Sequence, residues 1–320
     1  MTRIFGHANY DFIGYRRKAF IVTILLVVVG LINLAIRPIS YSIEFTGGTQ
    51  VGFRADQGVV VNVGAVRAGL DAAGLPGADI ISYGTNEYEI TARTAVAGSD
   101  ADNTAATSKA VSGALDNVLG AGKWTRTHAE LVGPKVGGEL RSKAFLAVFL
   151  SFFAVLAYLA YRFEWRFGVA AVLATAHDII LTICFISIIR MEVSLVVVAA
   201  VLSMVGYSLN DTIIIFDRVR ENLHKHRRDE LTSILNRSIN ETLPRSVLTH
   251  ATTLSTLGAL AIFGGEVIRP FALVMFFGVF TGTFSSIFIA PPVLRYIEQR
   301  WPGMGGRGVK VKPRAMPGTV

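Results

Sequence analysis

The sequence predicts a polytopic α-helical membrane protein, with six transmembrane helices and an extracytoplasmic α+β domain between helices 1 and 2. Its composition is apolar, with 52% hydrophobic residues, 17% charged residues and a mean hydropathy of +0.49. Soluble domains carry about 25% charged residues. The apolar residues form six runs of about 20 residues, the length that crosses a hydrocarbon core of roughly 30 Å. These observations exclude disordered, collagen-like and disulfide-scaffold proteins, and the single Cys184 excludes an intrachain disulfide.

Each apolar run is interpreted as a helix, because a backbone inside lipid must satisfy its own hydrogen bonds. The first run is followed by Arg37-Pro38 and not by a small-residue cleavage site, so it is interpreted as a retained span. The six predicted spans are 19–36, 144–161, 167–189, 193–216, 245–263 and 270–294.

The positions of Lys and Arg predict the orientation, because these residues concentrate in cytoplasmic loops. Opposite short loops carry only Arg190 and Arg269. Both termini are therefore expected in the cytoplasm, and the net charge of +8 is assigned to these flanks and not to a nucleic-acid partner. The predicted cytoplasmic segments are the N-terminus 1–18, the short loop 162–166, the basic loop 217–244 and a basic disordered tail 295–320.

The polar segment 37–143 is long enough to fold as a domain outside the membrane. Its pattern predicts the order β-α-β-β-α-β, which is typical of a small ferredoxin-like sandwich. The predicted strands are 49–54, 79–83, 87–93 and 123–132, with a turn at 84–86, and the predicted helices are 59–73 and 101–119. Gly47 and Gly48 permit positive φ and predict either a hinge between span and domain or an ordinary tight turn.

Ionisable residues inside the spans are candidate functional groups, because each costs several kcal/mol in lipid unless it faces the bundle interior. Asp211 and Arg245 each lie 18 residues from the outer end of a neighbouring span, about 27 Å in. An acid and a guanidinium at one depth are predicted to be able to pair, and protonation of the acid would release the arginine. His177 and Asp178 in the third span are secondary candidates, with a local His–Asp pair as the alternative.

The faces of the fourth and fifth spans support this hypothesis. Tyr207 and Asp211 are four residues apart with Asn210 alongside, and Arg245 and Thr249 are also four apart, so each set shares a helix face. The two polar stripes are expected to face each other or a wet cavity. We predict a proton path through these five residues, and the alternative is a static ion pair that fixes helix packing.

No pattern in the sequence indicates an enzyme. It contains no phosphate-binding G-x-x-x-x-G-K-[ST] loop, no nucleophile–base array and no metal-ligand spacing. We therefore expect no catalytic residue, no metal and no cofactor, with the proton gradient as the energy source.

Five motifs in chain order resemble the SecF family, the smaller membrane subunits of the SecD–SecF protein-export complex, which is similar to the resistance–nodulation–division exporters. The string from Gly206 to Asn222 resembles the fourth-span signature. Glu44 stands where the family's element after the first span usually has Asp. The other matching strings are 43–48, 132–140, 176–178 and 245–249.

This resemblance implies a function in protein export. Such a subunit works with SecD in the bacterial cytoplasmic membrane and uses the proton motive force to complete preprotein movement after ATP-driven translocation. The implied partners are SecD, the Sec channel formed by SecY, SecE and SecG, unfolded preprotein and membrane lipids. The resemblance also implies Asp211, Arg245 and Thr249 as proton-path residues.

Two alternatives remain open at this point. A half-size proton-coupled exporter of small molecules or lipids should hold a greasy cavity in its outer domain, whereas segment 37–143 is small and polar. A non-transporting translocon scaffold would use Asp211 and Arg245 as a fixed clasp.

Overall fold

The computed structural model describes residues 9–83, 86–92, 100–162, 164–226 and 228–302. Its contacts divide the chain into two compact units, which we name after the sequence prediction the membrane unit (1–38, 150–191 and 199–320) and the outer unit (39–149 and 192–198). Part of the predicted turn 84–86 and the predicted tail from residue 303 onward lie outside the described residues.

The described helices include six that are long and apolar enough to cross a membrane, which confirms the predicted multi-pass helical membrane protein. They are Arg16–Ile36, Lys135–Leu159, Trp165–Ile188, Leu195–Lys225, Leu231–Phe263 and Val267–Arg300. The helices are α1 Arg16–Ile36, α2 Ile43–Thr46, α3 Val63–Ala72, α4 Asp100–Leu119, α5 Pro134–Arg162, α6 Trp165–Ile188, α7 Leu195–Lys225, α8 Leu231–Phe263, α9 Gly265–Phe288 and α10 Ala290–Arg300. The strands are β1 Gly48–Ala55, β2 Asp79–Tyr83, β3 Glu87–Ala92 and β4 Trp124–Val132.

The segment 217–244, interpreted from its charge as a loop, is helical over most of its length. Helix α7 continues to Lys225 and α8 begins at Leu231. Glu221 forms ion pairs with Arg218 and Lys225 one turn away on each side, and such pairs stabilise a helix surface. The charge therefore marks the end of the apolar run and not the end of the helix.

The predicted span 270–294 is divided at Ile289, where α9 ends and α10 begins. Pro291 and Pro292 occupy the first turn of α10, where their missing N–H groups cost no helical hydrogen bond. Residues 295–300, assigned from sequence to a disordered tail, belong to this helix and bury Ile297 and Glu298.

Residues 9–15, which precede α1, pack onto α8. Asn240 accepts a hydrogen bond from the backbone N–H of Tyr10 (2.9 Å), and Asn236 accepts one from that of Ile13 (3.0 Å). Ile13 is fully buried. The backbone N–H of Gly14 and then the Asn236 amide donate to the Asp11 carboxylate, and these bonds lower the pKa of Asp11 below its ordinary value.

The outer unit contains one antiparallel sheet of four strands in the order β2-β3-β1-β4. Strand β1 is central and pairs with β3 and β4, with a register shift between Gly52 and Phe53 in its ladder with β4. An apolar core joins β1 and β3 to helices α3 and α4, because Phe53, Leu70 and Leu115 are all fully buried in one cluster.

The outer unit also holds the first residues of α7. Val193 exchanges backbone hydrogen bonds with Ser40 (2.9 Å) and Ser42 (3.0 Å). The Glu44 carboxylate accepts the backbone N–H of Leu195 at 2.6 Å. A carboxylate at this position satisfies a free N–H of the first helical turn and complements the positive end of the helix dipole. The residue that departs from the family's usual Asp is therefore a cap of α7.

The predicted turn at Gly47-Gly48 follows α2 directly. Gly47 has φ 75° and Gly48 has φ 143°, a region in which residues with a side chain are strained. The α5 backbone also approaches closely, since a Cβ built on Gly137 would lie 2.8 Å from the Gly47 nitrogen. Both glycines are required by the conformation, and a hinge motion at this turn stays a prediction.

Candidate functional site

Two aspartates are buried inside the apolar helices of the membrane unit. Asp178 on α6 is 0% exposed and Asp211 on α7 is 4% exposed. An ionised carboxylate at such a position is costly unless it is paired or hydrogen-bonded. The groups that contact these two carboxylates therefore decide what the aspartates can do.

Asp178 is held by three side chains from three helices. The neighbouring His177 ring contacts it through Nδ1 at 2.9 Å from Oδ1. The hydroxyls of Ser208 on α7 and Ser285 on α9 both donate to Oδ2, each at 2.6 Å. All three helices that meet at Asp178 thus contribute a polar group to it.

Asp211 has a matching environment. Ser246 on α8 donates to Oδ1 at 2.6 Å, and Ser286 on α9 donates to Oδ2. Both serines are buried. Within the described part of the chain, no Lys or Arg nitrogen lies within 4 Å of either the Asp178 or the Asp211 carboxylate.

The structure corrects the predicted pairing of Asp211 with Arg245. Arg245 is exposed, and the described residues contain no ion pair between the two side chains. Successive helical residues point about 100° apart, so Ser246 facing Asp211 turns Arg245 away from it. The predicted common depth is consistent with this contact, because the residue next to Arg245 is the one that reaches Asp211.

The two polar stripes meet at Tyr207. Its hydroxyl forms a hydrogen bond with Thr253 on α8, and its ring lies edge-on to the buried His250 at 5.8 Å between centroids. The His250 Nδ1 lies 2.6 Å from the Ser246 carbonyl oxygen, one turn back on the same helix. The predicted candidates Asn210 and Thr249 are exposed, and the described structure has no hydrogen bond from either side chain to Asp211.

Seven exposed polar side chains of α7 and α8 form a set that we call the polar face. Its side chains lie on the apolar stretches of α7 and α8 or at the ends of those stretches. Lipid does not solvate hydroxyl, amide or guanidinium groups at membrane depth. The polar face comprises Ser203, Asn210, Arg245, Thr249, Thr252, Ser255 and Thr256.

His177 has one ring nitrogen without a partner in the described structure. Its Nδ1 contacts Asp178, whereas Nε2 is buried and makes no hydrogen bond. A neutral imidazole presents one donor and one acceptor, so one hydrogen-bonding group of this ring is left unused beside Asp178.

Close packing of α9 against α7 brings its serines to both acids. A Cβ on Gly278 would lie 2.9 Å from the Met204 side chain, and one on Gly282 would lie 2.9 Å from the Ser208 Cβ. The two glycines are four residues apart and share a helix face, the spacing that lets membrane helices approach closely. Ser285 and Ser286 follow within one turn and reach Asp178 and Asp211.

The four serines Ser208, Ser246, Ser285 and Ser286 were not predicted from the sequence as site residues. Two signals were available, the G-x-x-x-G spacing at 278–282 and the Ser285-Ser286 pair in a helix that otherwise carries few polar groups. Which acid each serine contacts depends on the packing of four helices, α6 to α9, and the sequence does not state it.

The fold and this site define a class of protein, a multi-pass helical membrane protein with ionisable groups in the core of its bundle. Two family models match the chain, "Protein export membrane protein SecD/SecF, C-terminal" over residues 114–300 and "SecD/SecF GG Motif" over residues 32–59. The protein translocase subunit SecF of Gemmatimonas aurantiaca is 51% identical over 94% of this chain and 91% of its own length. That of Rickettsia typhi is 36% identical over 91% of this chain and 93% of its own.

Solved structures agree with these relatives. The crystal structure of SecDF, a translocon-associated membrane protein from Thermus thermophilus, superimposes with a TM-score of 0.81 at 36% identity over 92% of this chain. SecDF in its super-membrane-facing form gives a TM-score of 0.65 at the same identity. This chain spans about 39% of the length of those SecDF chains. The chain therefore belongs to the SecF family of protein translocase subunits.

Proposed function

We propose that this chain works with a SecD partner and uses the proton motive force to complete preprotein export through the Sec channel of SecY, SecE and SecG, after ATP-driven translocation. The carrying observation is Asp211, a buried carboxylate in an apolar helix whose partners are two serine hydroxyls. A hydroxyl both donates and accepts, so it serves a charged and a neutral acid alike. Such an acid is able to gain and lose a proton without leaving a group unsatisfied.

The proton path runs from the polar face to Asp211. Asn210 lies beside the acid on the face, Tyr207 bonds to Thr253, and Arg245 and Thr249 lie on the exposed side of α8. In this proposal Arg245 acts at the exposed end of the proton path and does not pair directly with Asp211. One charge moved across the membrane supplies about 2.3 kcal/mol per 100 mV, enough to shift a conformational equilibrium tens-fold.

The polar face supports SecD as the partner that covers it. Hydroxyl, amide and guanidinium groups at membrane depth require a polar or wet neighbour. This chain aligns with only 39% of the solved SecDF chains, so those chains carry further sequence beside the aligned part. The exposed apolar residues of α1 and α5, such as Leu25 and Phe149, are proposed to contact lipid.

The outer unit is proposed to be a ferredoxin-like domain that moves relative to the membrane and contacts unfolded preprotein. The strand order β2-β3-β1-β4 and the packing of α3 and α4 on the sheet support this fold. The hydrogen bond from Leu195 to Glu44 supports coupling between motion of the outer unit and protonation of Asp211. It links the outer unit to α7, the helix that carries Asp211.

The orientation, the location and the chemistry belong to the same proposal. Both termini are assigned to the cytoplasm of a bacterial cell, with the chain in its cytoplasmic membrane, and the support is the excess of Lys and Arg in the segments on that side. The chain is proposed to be a transport subunit and not an enzyme, with no cofactor other than the proton gradient.

The proposal is tested by proton flux and preprotein export in vesicles that contain this chain, SecD and the Sec channel. Asp211→Asn keeps the shape and the hydrogen-bonding capacity but removes the titrating group. We expect the complex to assemble and gradient-dependent flux to fall at least tenfold, with ATP-driven initiation unchanged.

Asp217→Asn is the matched control, since it makes the same change on the same helix beyond the predicted apolar span. It should retain flux. Unchanged flux and gradient-dependent export in Asp211→Asn would refute the proton path and favour a scaffold. Flux that carries small molecules or lipid and no preprotein would favour the exporter.

A further inference from the structure

The two buried acids are joined through consecutive residues of one helix. Ser285 donates to Asp178 and Ser286 donates to Asp211. Helix α7 adds a second link, because Ser208 donates to Asp178 and lies three residues before Asp211. Three residues span about 4.5 Å along a helix, so the two carboxylates are about one turn apart along α7. A change in the protonation of either acid therefore affects hydrogen bonds in the same turns of α7 and α9.

Each α9 serine has two acceptors within reach of its single hydroxyl hydrogen. Ser285 Oγ lies 2.6 Å from Asp178 Oδ2 and 3.2 Å from the Gly282 carbonyl oxygen. Ser286 Oγ contacts Asp211 Oδ2 and lies 3.0 Å from the Thr283 carbonyl oxygen. When the acid is ionised, the hydroxyl donates to it. When the acid is protonated, the acid donates to the hydroxyl, whose hydrogen then turns to the backbone carbonyl.

The charged groups that face this pair are few. On α6 the imidazole of His177 contacts Asp178, and on α8 His250 and Arg245 lie near Ser246. At the cytoplasmic end, Arg166 lies near Glu298. The segments 19–36 of α1 and 271–288 of α9 contain no charged residue. The two carboxylates are one turn apart, and few positive charges lie near them. The proton affinity of each acid therefore depends on whether the other is charged.

We propose that Asp178 is a second proton-binding residue and that Asp178 and Asp211 bind protons as one coupled unit, connected by the hydroxyls of Ser285 and Ser286. Asp178 thereby sets the proton affinity of Asp211, and a proton on one acid is relayed as a hydroxyl reorientation on α9 to the other. This inference rests on the proposed function, since it assigns further residues to the same proton path.

The test is infrared titration of the protonated-carboxyl band in the reconstituted complex with SecD, with the Asp211 band identified by its loss in Asp211→Asn. In Asp178→Asn we expect the Asp211 midpoint to move by about one pH unit, a tenfold change in proton affinity. Ser285→Ala keeps both acids and should move the Asp178 midpoint, with a smaller shift at Asp211. An Asp211 midpoint that stays fixed in both variants would overturn the coupling.

Thr283→Val is the matched control, because its hydroxyl lies on the same helix and bonds to the Val279 carbonyl (2.7 Å). It should leave both midpoints in place. If Asp178→Asn does not fold, Ser285→Ala carries the test, since both carboxylates are retained. Proton flux in the same vesicles separates the two claims. Coupled midpoints without flux would contradict the proposed function alone, and flux with independent midpoints would contradict only the coupling.

Discussion

Three aspartates show how environment gives one side chain different properties. Asp11 is exposed and accepts hydrogen bonds from Gly14 and Asn236, which favour its charged form. Asp178 and Asp211 are buried and contact mainly serine hydroxyls, which serve either protonation state. The first aspartate is suited to hold residues 9–15 on α8, and the other two are the proton-binding groups of the proposed function.

Docking of the N-terminal residues is predicted to weaken in acid. The folded pKa of Asp11 lies below its ordinary value, so its contribution is present above about pH 4 and is lost as pH falls through the lowered pKa. A spin label at Asn9→Cys reports the mobility of this segment, and the native Cys184 is buried. The label should become mobile as the pH falls toward 3.

Asp11→Asn should remove this acid transition, because an amide does not titrate in that range. Asp56→Asn, on the outer unit, is the control and should leave the transition unchanged. A label whose mobility is independent of pH in the wild-type chain would contradict the role assigned to Asp11.

At the scale of elements, helix α9 organises the site. Its two close-packing glycines bring it onto α7, and its two serines then reach both acids. The charged ends of α7 and α8 show the same dependence on packing, because their apolar residues Val219, Leu235 and Ile239 are buried although the surrounding sequence is basic. A helix continues where it has an apolar partner, whatever the local charge.

Gly282→Ala is predicted to destabilise the isolated chain by about 1–3 kcal/mol, the usual cost of overpacking. The new Cβ would lie 2.9 Å from the Ser208 Cβ, so α9 has to move away from α7 and withdraw its serines. Chemical unfolding in detergent measures the stability, and infrared titration measures the Asp178 midpoint, which should shift as well.

Gly206→Ala is the control for helix propensity, since a Cβ at Gly206 meets nothing within 4 Å. It should leave stability unchanged or raise it by up to about 1 kcal/mol, because Ala favours a helix interior over Gly. Equal stability of the two variants would show that the α7–α9 approach is not a tight contact.

At the scale of the whole molecule, exposed surface falls into two kinds. Helices α1 and α5 expose apolar side chains that suit lipid, whereas the polar face on α7 and α8 does not. A chain that exposes polar side chains on two apolar helices is suited to act beside another membrane subunit.

A photo-crosslinking residue in place of Thr252 is therefore predicted to form adducts with SecD in membranes that hold both subunits. The same residue in place of Leu25 on α1, which is 63% exposed, should give lipid adducts only. Mass spectrometry identifies the products. Adducts of Thr252 with lipid alone would mean that the polar face is not covered by SecD.

Much of the fold was predictable because membrane spans and strands have strong local signals. The six apolar runs predicted the six spanning helices, and strand β2 was predicted with its exact bounds, Asp79–Tyr83. Helix ends were predicted less well. At residues 217–244 and 295–300 charge suggested a loop or a disordered tail, but tertiary packing supports helices.

The sequence by itself determined the class of protein, the number of spans and the presence of costly polar groups inside them, since hydropathy and charge act residue by residue along the chain. Only the tertiary structure decided which groups meet. It placed Ser246 and Ser286 at Asp211 where Arg245 was expected, because the direction of a side chain depends on helix rotation and on the close approach that Gly278 and Gly282 permit. The spacing of residues in the sequence predicts their depth along a membrane helix. Which side chains face each other depends on packing between helices that are distant in sequence.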